Sequence, residues 1–133
     1  MTNCDYCGLR YEETYKPDVK QHSKVHGHVE ETRAKIGFFY TYDEREALKR
    51  EFYEQYPSSN KADKIDWAIK FLQQYYSRSL ESSGFSSKHP CFEDYAGMML
   101  YQTRYKEDFS DVYEGLVLVY KPHIGINERE SYF

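Results

Sequence analysis

The chain has no basic segment, no long apolar run, no internal repeat and too few cysteines for a disulfide framework. Each absence excludes something. Residues 1–35 carry six basic and six acidic side chains, and residues 36–133 carry twelve and sixteen, so the net charge of −4 arises wholly in the second part. Proteins that grip nucleic acid broadly draw most of their affinity from neutralising phosphates and show a basic excess somewhere. The balance argues against a strong general grip on DNA, not against a small local contact. No stretch is apolar for long enough to span a bilayer, and no basic leader precedes an apolar segment. The expectation is a soluble, intracellular protein (cytoplasmic or nuclear) with neither signal peptide nor transmembrane segment. Three cysteines cannot staple a small secreted domain. In a reducing compartment, a close Cys pair followed by histidines points to a metal ion.

What the chain has in abundance is tyrosine, 15 residues, joined by 8 Phe. Tyrosine buries its ring while keeping a polar tip, which places many of these at the core margin or on a binding surface. A length of 133 residues suits one compact domain with a short appendage.

The appendage is legible in residues 4–28, CDYCGLRYEETYKPDVKQHSKVHGH. Cys4 and Cys7 form a Cys-x2-Cys knuckle, whose two thiolates reach one ion from a tight turn. Fourteen residues later come His22 and His26, at i and i+4, so both imidazoles share one helix face. Two sulfurs and two nitrogens form the tetrahedral set that suits zinc, and a filled set leaves no open position for a substrate. One structural Zn2+ is the cofactor this pattern implies. His28 competes with His26 for the fourth place, since a gap of five also occurs in such sites. Tyr11 and Val19 stand where a ββα finger places its small core, and Gly8 suits the turn after the knuckle. Pro17 followed by Asp18 is a helix start: a fixed φ and a carboxylate near the positive end of the dipole. The interval from Cys7 to His22 exceeds the usual twelve by two residues, which fall in the EETYK loop.

The run Cys4-x-x-Cys7-Gly8-Leu9-x-Tyr11, then Pro17-Asp18, then His22-x-x-x-His26, resembles the zinc finger that precedes the catalytic domain in the cohesin acetyltransferases. Leu9 stands where that family commonly has Met, and Pro17 touches Asp18 directly. The resemblance covers residues 4–28 and implies the four zinc ligands. It does not bring the acetyltransferase with it. That fold cradles the coenzyme A pyrophosphate on an Arg/Gln-x-x-Gly-x-Gly/Ala loop opening a helix. The glycines here, at 8, 27, 37, 84, 97, 115 and 125, contain no i, i+2 pair.

Beyond the finger, IGFFYTY (36–42) predicts a strand, being short, aromatic and β-branched. Asp43 with Glu46 reads as a capping box opening a helix over 44–56 that carries Leu48, Phe52 and Tyr56 and ends at Pro57. A second helix over 61–80 follows from Ile65, Ala68, Phe71, Leu72, Tyr75 and Tyr76. SLESSGFSSKHP (79–90) reads as a loop, and a third helix spans 91–105. The apolar run VYEGLVLVYK (112–121) predicts a buried strand paired with 36–42. The tail from His123 has no period and belongs on the surface. The fold class is α+β: a ββα zinc finger over 1–35, then a Tyr-rich domain over 36–133 with about three helices and a short sheet.

Three uses of this chain are distinguishable. The first is a non-catalytic, protein-binding adaptor or regulator in which zinc is structural and the partner is another protein. The second is a DNA-binding protein using the finger helix. Tyr15, Asp18 and Gln21 would then face bases, while Lys16, Lys20 and Lys24 meet phosphates. Glu12 and Glu13 beside them, and the roughly 3 bp that one finger covers, disfavour it. The third is an enzyme with a Cys/His site at His89 and Cys91, next to Glu93 and Asp94. His123 has no evident partner in sequence. The first use is the expected one, and the protein is expected not to be an enzyme.

Overall fold

The computed structural model describes residues 1–123, residue 103 by its backbone alone. Two short strands, β1 (Thr2–Asn3) and β2 (Arg10–Tyr11), pair antiparallel with Thr2 opposite Tyr11 and Asn3 opposite Arg10. They are followed by the helices α1 (Lys16–Ile36), α2 (Tyr42–Gln55), α3 (Lys61–Ser82), α4 (Phe92–Tyr101), α5 (Thr103–Asp108) and α6 (Tyr113–Tyr120). Single 3-10 turns follow α2 at Tyr56–Ser58 and α6 at Lys121–His123. The architecture is mostly helical, with one small antiparallel sheet, compatible with α+β. No described helix is long and apolar enough to cross a membrane.

Local chemistry explains where the helices begin and end. Pro17 sits in the first turn of α1 and Asp18 carries its charge there, both favourable at the positive end of a helix. The helix runs unbroken through Gly27 and stops at Gly37, which takes a left-handed φ of +87° and returns its N–H to the Arg33 carbonyl. Only glycine adopts that conformation without strain. Helix α3 opens on Asn60, whose Oδ1 accepts the Asp63 N–H at 2.8 Å. It closes with two reciprocal bonds, Gly84 N–H to Glu81 O at 2.9 Å and Phe85 N–H to Leu80 O at 3.0 Å. This is a Schellman cap, which explains the left-handed Gly84 and sets the Phe85 ring against His28 of α1.

The core lies among α2 to α6. Phe109, 1% exposed, is ringed by Phe52, Tyr56, Phe71 and Tyr105. A second aromatic cluster joins Phe38, Tyr76, Phe92, Tyr95 and Tyr120. Leu72, Leu100, Val112 and Leu116 fill the space between as fully buried side chains. Several tyrosines behave as their chemistry suggests, burying the ring and tying the tip. Tyr76 donates to Pro90 O and Tyr113 to Leu100 O, both at 2.8 Å, and Tyr56 to Asp111 at 2.6 Å.

The second sheet expected from sequence does not form. Residues 112–121 are helical through α6, with Leu116 N–H bonded to Val112 O. Residues 37–41 connect α1 to α2 as an irregular segment whose Phe38 and Phe39 plug the core. An apolar run of that length suits a buried helix as well as a buried strand, and aromatic content reflects burial rather than a backbone preference. The capping box is Thr41 and Glu44, with Glu44 accepting the Thr41 N–H at 3.1 Å, two residues before the expected one. The expected helix over 91–105 is two helices, broken at Gln102, whose ψ of 137° is extended. The tail residues 124–133 lie outside the described residues.

Candidate metal centre

The Cys4 to Cys7 turn is built by its backbone. Gly8 N–H bonds to Cys4 O at 2.7 Å, Cys4 N–H to Leu9 O at 3.0 Å, and Cys7 N–H points at Cys4 Sγ at 3.5 Å. Gly8 has φ +76°, and a Cβ there would lie 3.0 Å from Thr41 Cβ. Glycine is needed both for the turn and for its close approach to the segment before α2. From the other side, α1 presents His22 and His26 one turn apart, with rings 5.4 Å apart. Tyr11 of β2 stacks on His22 at 4.1 Å and Tyr6 lies against His26 at 4.7 Å, so both imidazoles are oriented by aromatic neighbours.

These elements bring one ligand atom each from Cys4, Cys7, His22 and His26 to within 4.8 Å of one another. Cys4 Sγ lies 3.6 Å from His26 Nδ1. A tetrahedral ion with bonds of about 2.3 Å to sulfur and about 2.0 Å to nitrogen has S–N edges of about 3.5 Å. His22 Nε2 is buried with no hydrogen-bond partner, a costly state for a polar atom unless something fills the space it faces. Burial alone would raise the Cys4 thiol, but the Cys7 amide and the His22 and His26 imidazoles outweigh it and bring its pKa down to about 6. Burial and the neighbouring Cys4 instead push Cys7 up, as expected when two thiolates share a site without a cation. The donor set fits one metal ion, which Cys4, Cys7, His22 and His26 would hold. The far nitrogen of His26 lies 3.8 Å from Glu30, the carboxylate neighbour that commonly orients a ligating imidazole.

His28 is elsewhere. Its ring stacks on Phe85 at 5.0 Å and 6°, packing α1 against the loop after α3, so it is no rival to His26. Val19 is also displaced from its expected role, being 42% exposed. Cys7 and Val29, both buried, belong to the hydrophobic core, and Leu9 and Val25 pack against that core. Arg33 then ties the site to the helices. It donates to Tyr6 O at 3.1 Å, to Phe39 O at 2.9 Å and to Glu44 at 2.9 Å, and lies 4.6 Å from the Tyr6 ring centre. No local signal marked Arg33, because its partners lie up to 27 residues away.

The expected nucleic-acid contacts separate into two groups. Tyr15, Lys16, Lys20, Gln21 and Lys24 are exposed on α1. Asp18 is engaged, its Oδ2 accepting the Glu12 N–H at 2.9 Å. Gln21 and Lys24, while exposed, also border a groove with Leu9, Glu81, Gly84 and Phe85.

His89 and Cys91, the Cys/His candidate, line one cavity together with Glu31, Tyr76 and Phe85. Burial, then the Asp94 carboxylate beside it, pushes the Cys91 thiol up. His89 packs its ring on Tyr76 at 5.4 Å with Nε2 buried and unpartnered, and burial lowers its pKa. Asp94 instead hydrogen-bonds His123 Nδ1 at 2.6 Å. His123 thus has a partner, 29 residues away, and Gly97 makes room for it: a Cβ there would meet His123 O at 2.3 Å.

No protein-family model, no curated protein and no solved structure matches the chain.

Proposed function

We propose that this protein is a non-catalytic adaptor or regulator that binds another protein, with one structural zinc held by Cys4, Cys7, His22 and His26. The observation that carries the reading is the outer end of α1. Tyr15 and Val19, one turn apart and 57% and 42% exposed, set an apolar edge in solvent immediately before the metal ligands. A finger that packed only for itself would bury Val19. Exposed aromatic and aliphatic side chains beside a rigid, metal-stapled turn are the usual anchors of a protein interface. Zinc in this reading is a staple, and the resemblance to the finger of the cohesin acetyltransferases supports the ligand set alone.

A DNA-binding reading is favoured by one observation, the exposed row of Lys16, Lys20 and Lys24. Against it stands the engaged Asp18. Titration of the zinc-loaded protein with mixed DNA and RNA at about 50 and 200 mM salt separates the two, since phosphate contacts weaken steeply with salt. Nuclease-treated extract passed over the same protein supplies the other arm. Partners retained by the native chain and lost with both Val19→Asp and Cys4→Ser support the adaptor reading. Salt-steep nucleic-acid binding lost with Lys20→Glu sinks it.

A further inference from the structure

Helix α6 has the sequence YEGLVLVY, apolar on nearly every side. A helix of that kind is ordinarily covered all round. Here Leu116 and Tyr120 are buried, yet Leu118 is 75% exposed. The solvent stripe reads Glu114, Leu118, Lys121, at i, i+4 and i+7. Lys121 keeps helical angles (φ −48°, ψ −44°), so the stripe is continuous. The stripe is an apolar centre with a carboxylate about 6 Å to one side and an ammonium about 5 Å to the other along the axis. Neither Glu114 nor Lys121 has an ion-pair or hydrogen-bond partner among the described residues.

That pattern is complementary to itself reversed. A two-fold axis between residues 117 and 118 sets residue i against residue 235 − i of a second copy. Glu114 then faces Lys121 of the partner subunit at both ends, and Leu118 meets Val117 in the middle. Parallel pairing would instead oppose like charges. We propose that α6 is a self-association surface, on which two copies of this chain pair antiparallel through Leu118 with reciprocal Glu114–Lys121 contacts. The contact is independent of the metal site and of the reading built on it. One two-turn helix covers less than the roughly 800 Å² per partner of a standard interface. Association is therefore weak, a matter of high micromolar concentration.

Sedimentation equilibrium of the full chain from about 10 to 500 μM tests this, at low and at moderate salt. The native protein should show a monomer–dimer equilibrium that weakens as salt rises. Leu118→Asp should leave a monomer throughout, with unchanged circular dichroism because the side chain is exposed. Lys121→Glu sets carboxylates against each other at both ends and should weaken association about tenfold, and adding Glu114→Lys should restore it to within about threefold. A native chain that is monomeric over the whole range overturns the proposal and leaves the face to a different occupant. So does a dimer that Lys121→Glu leaves unchanged.

Discussion

The first 36 residues and the helices after them are held together by different means. Among the described residues, only Cys7 and Val29 of the first 36 belong to the buried apolar core. The helices from α2 onward bury an almost continuous aromatic mass, with Phe109, Leu72 and Leu116 fully enclosed. A segment with so little apolar burial cannot offset its own ordering entropy, which is why small units recruit a metal. What the contrast teaches is that the ligand set and the Phe/Tyr core are separate sources of order, meeting at Arg33, Gly8 and the His28–Phe85 stack.

Metal removal should break the contrast most. Structural zinc contributes on the order of 10 kcal/mol of apparent binding free energy in small fingers. Chelation, or Cys7→Ser, should therefore deprotect the amides of residues 1–28 in hydrogen exchange while those of α3 and α4 stay protected. Loss of protection throughout the chain would show one cooperative unit instead of two. Next in size is the opposite cut. Phe109→Ala removes the ring at the centre of the larger aromatic cluster and should cost about 3–5 kcal/mol in denaturant unfolding, with metal stoichiometry unchanged. A variant that also lost its metal would erase the distinction.

Arg33→Ala tests the junction. It leaves the Tyr6 and Phe39 carbonyls and Glu44 without their donor and should cost about 1–3 kcal/mol. The loss should be smaller once metal has been removed, since Tyr6 is then free to move. Equal losses with and without metal would mean that Arg33 serves the helices alone.

The smallest effect belongs to Asp94, whose carboxyl is held below its usual value first of all by the hydrogen bond from His123. A depressed folded value contributes stability above the unfolded value of about 3.9, and that contribution is lost as pH falls through the lower folded one. Both side chains are partly solvated, so Asp94→Asn should cost under about 1 kcal/mol at neutral pH and flatten the acid limb of the stability curve. An acid limb identical to that of the native chain would show that the pair contributes nothing.

The four candidate ligands were legible because a turn and a helix are local objects. Cys-x2-Cys and His-x3-His each dictate their own geometry, and only their meeting is tertiary. Helix α3 was legible too, since its apolar residues recur on one face from Ile65 to Leu80, about four turns. The choice between His26 and His28 was not, because it depends on Phe85, which the Schellman cap on a distant helix delivers to His28. The strands expected at 36–42 and 112–121 failed for a related reason. Phe38, Phe39 and the run through Leu116 announce burial, and burial alone does not say whether a backbone is extended or helical. The Asp94–His123 bond and the reach of Arg33 left no trace in local pattern, since partners 27 to 29 residues apart obey no periodicity.

By itself, then, the sequence determined the four candidate ligands, the long amphipathic α3, the start of α1 at Pro17, and the absence of a membrane-length apolar helix among the described residues. Those features depend on spacing, φ restriction and hydropathy, all of which act within a turn or two. Tertiary structure decided which histidine joins the cysteines, that α6 is a helix, and which apolar side chains are left in solvent. Those depend on what packs against each residue from far along the chain, and no local rule carries that information.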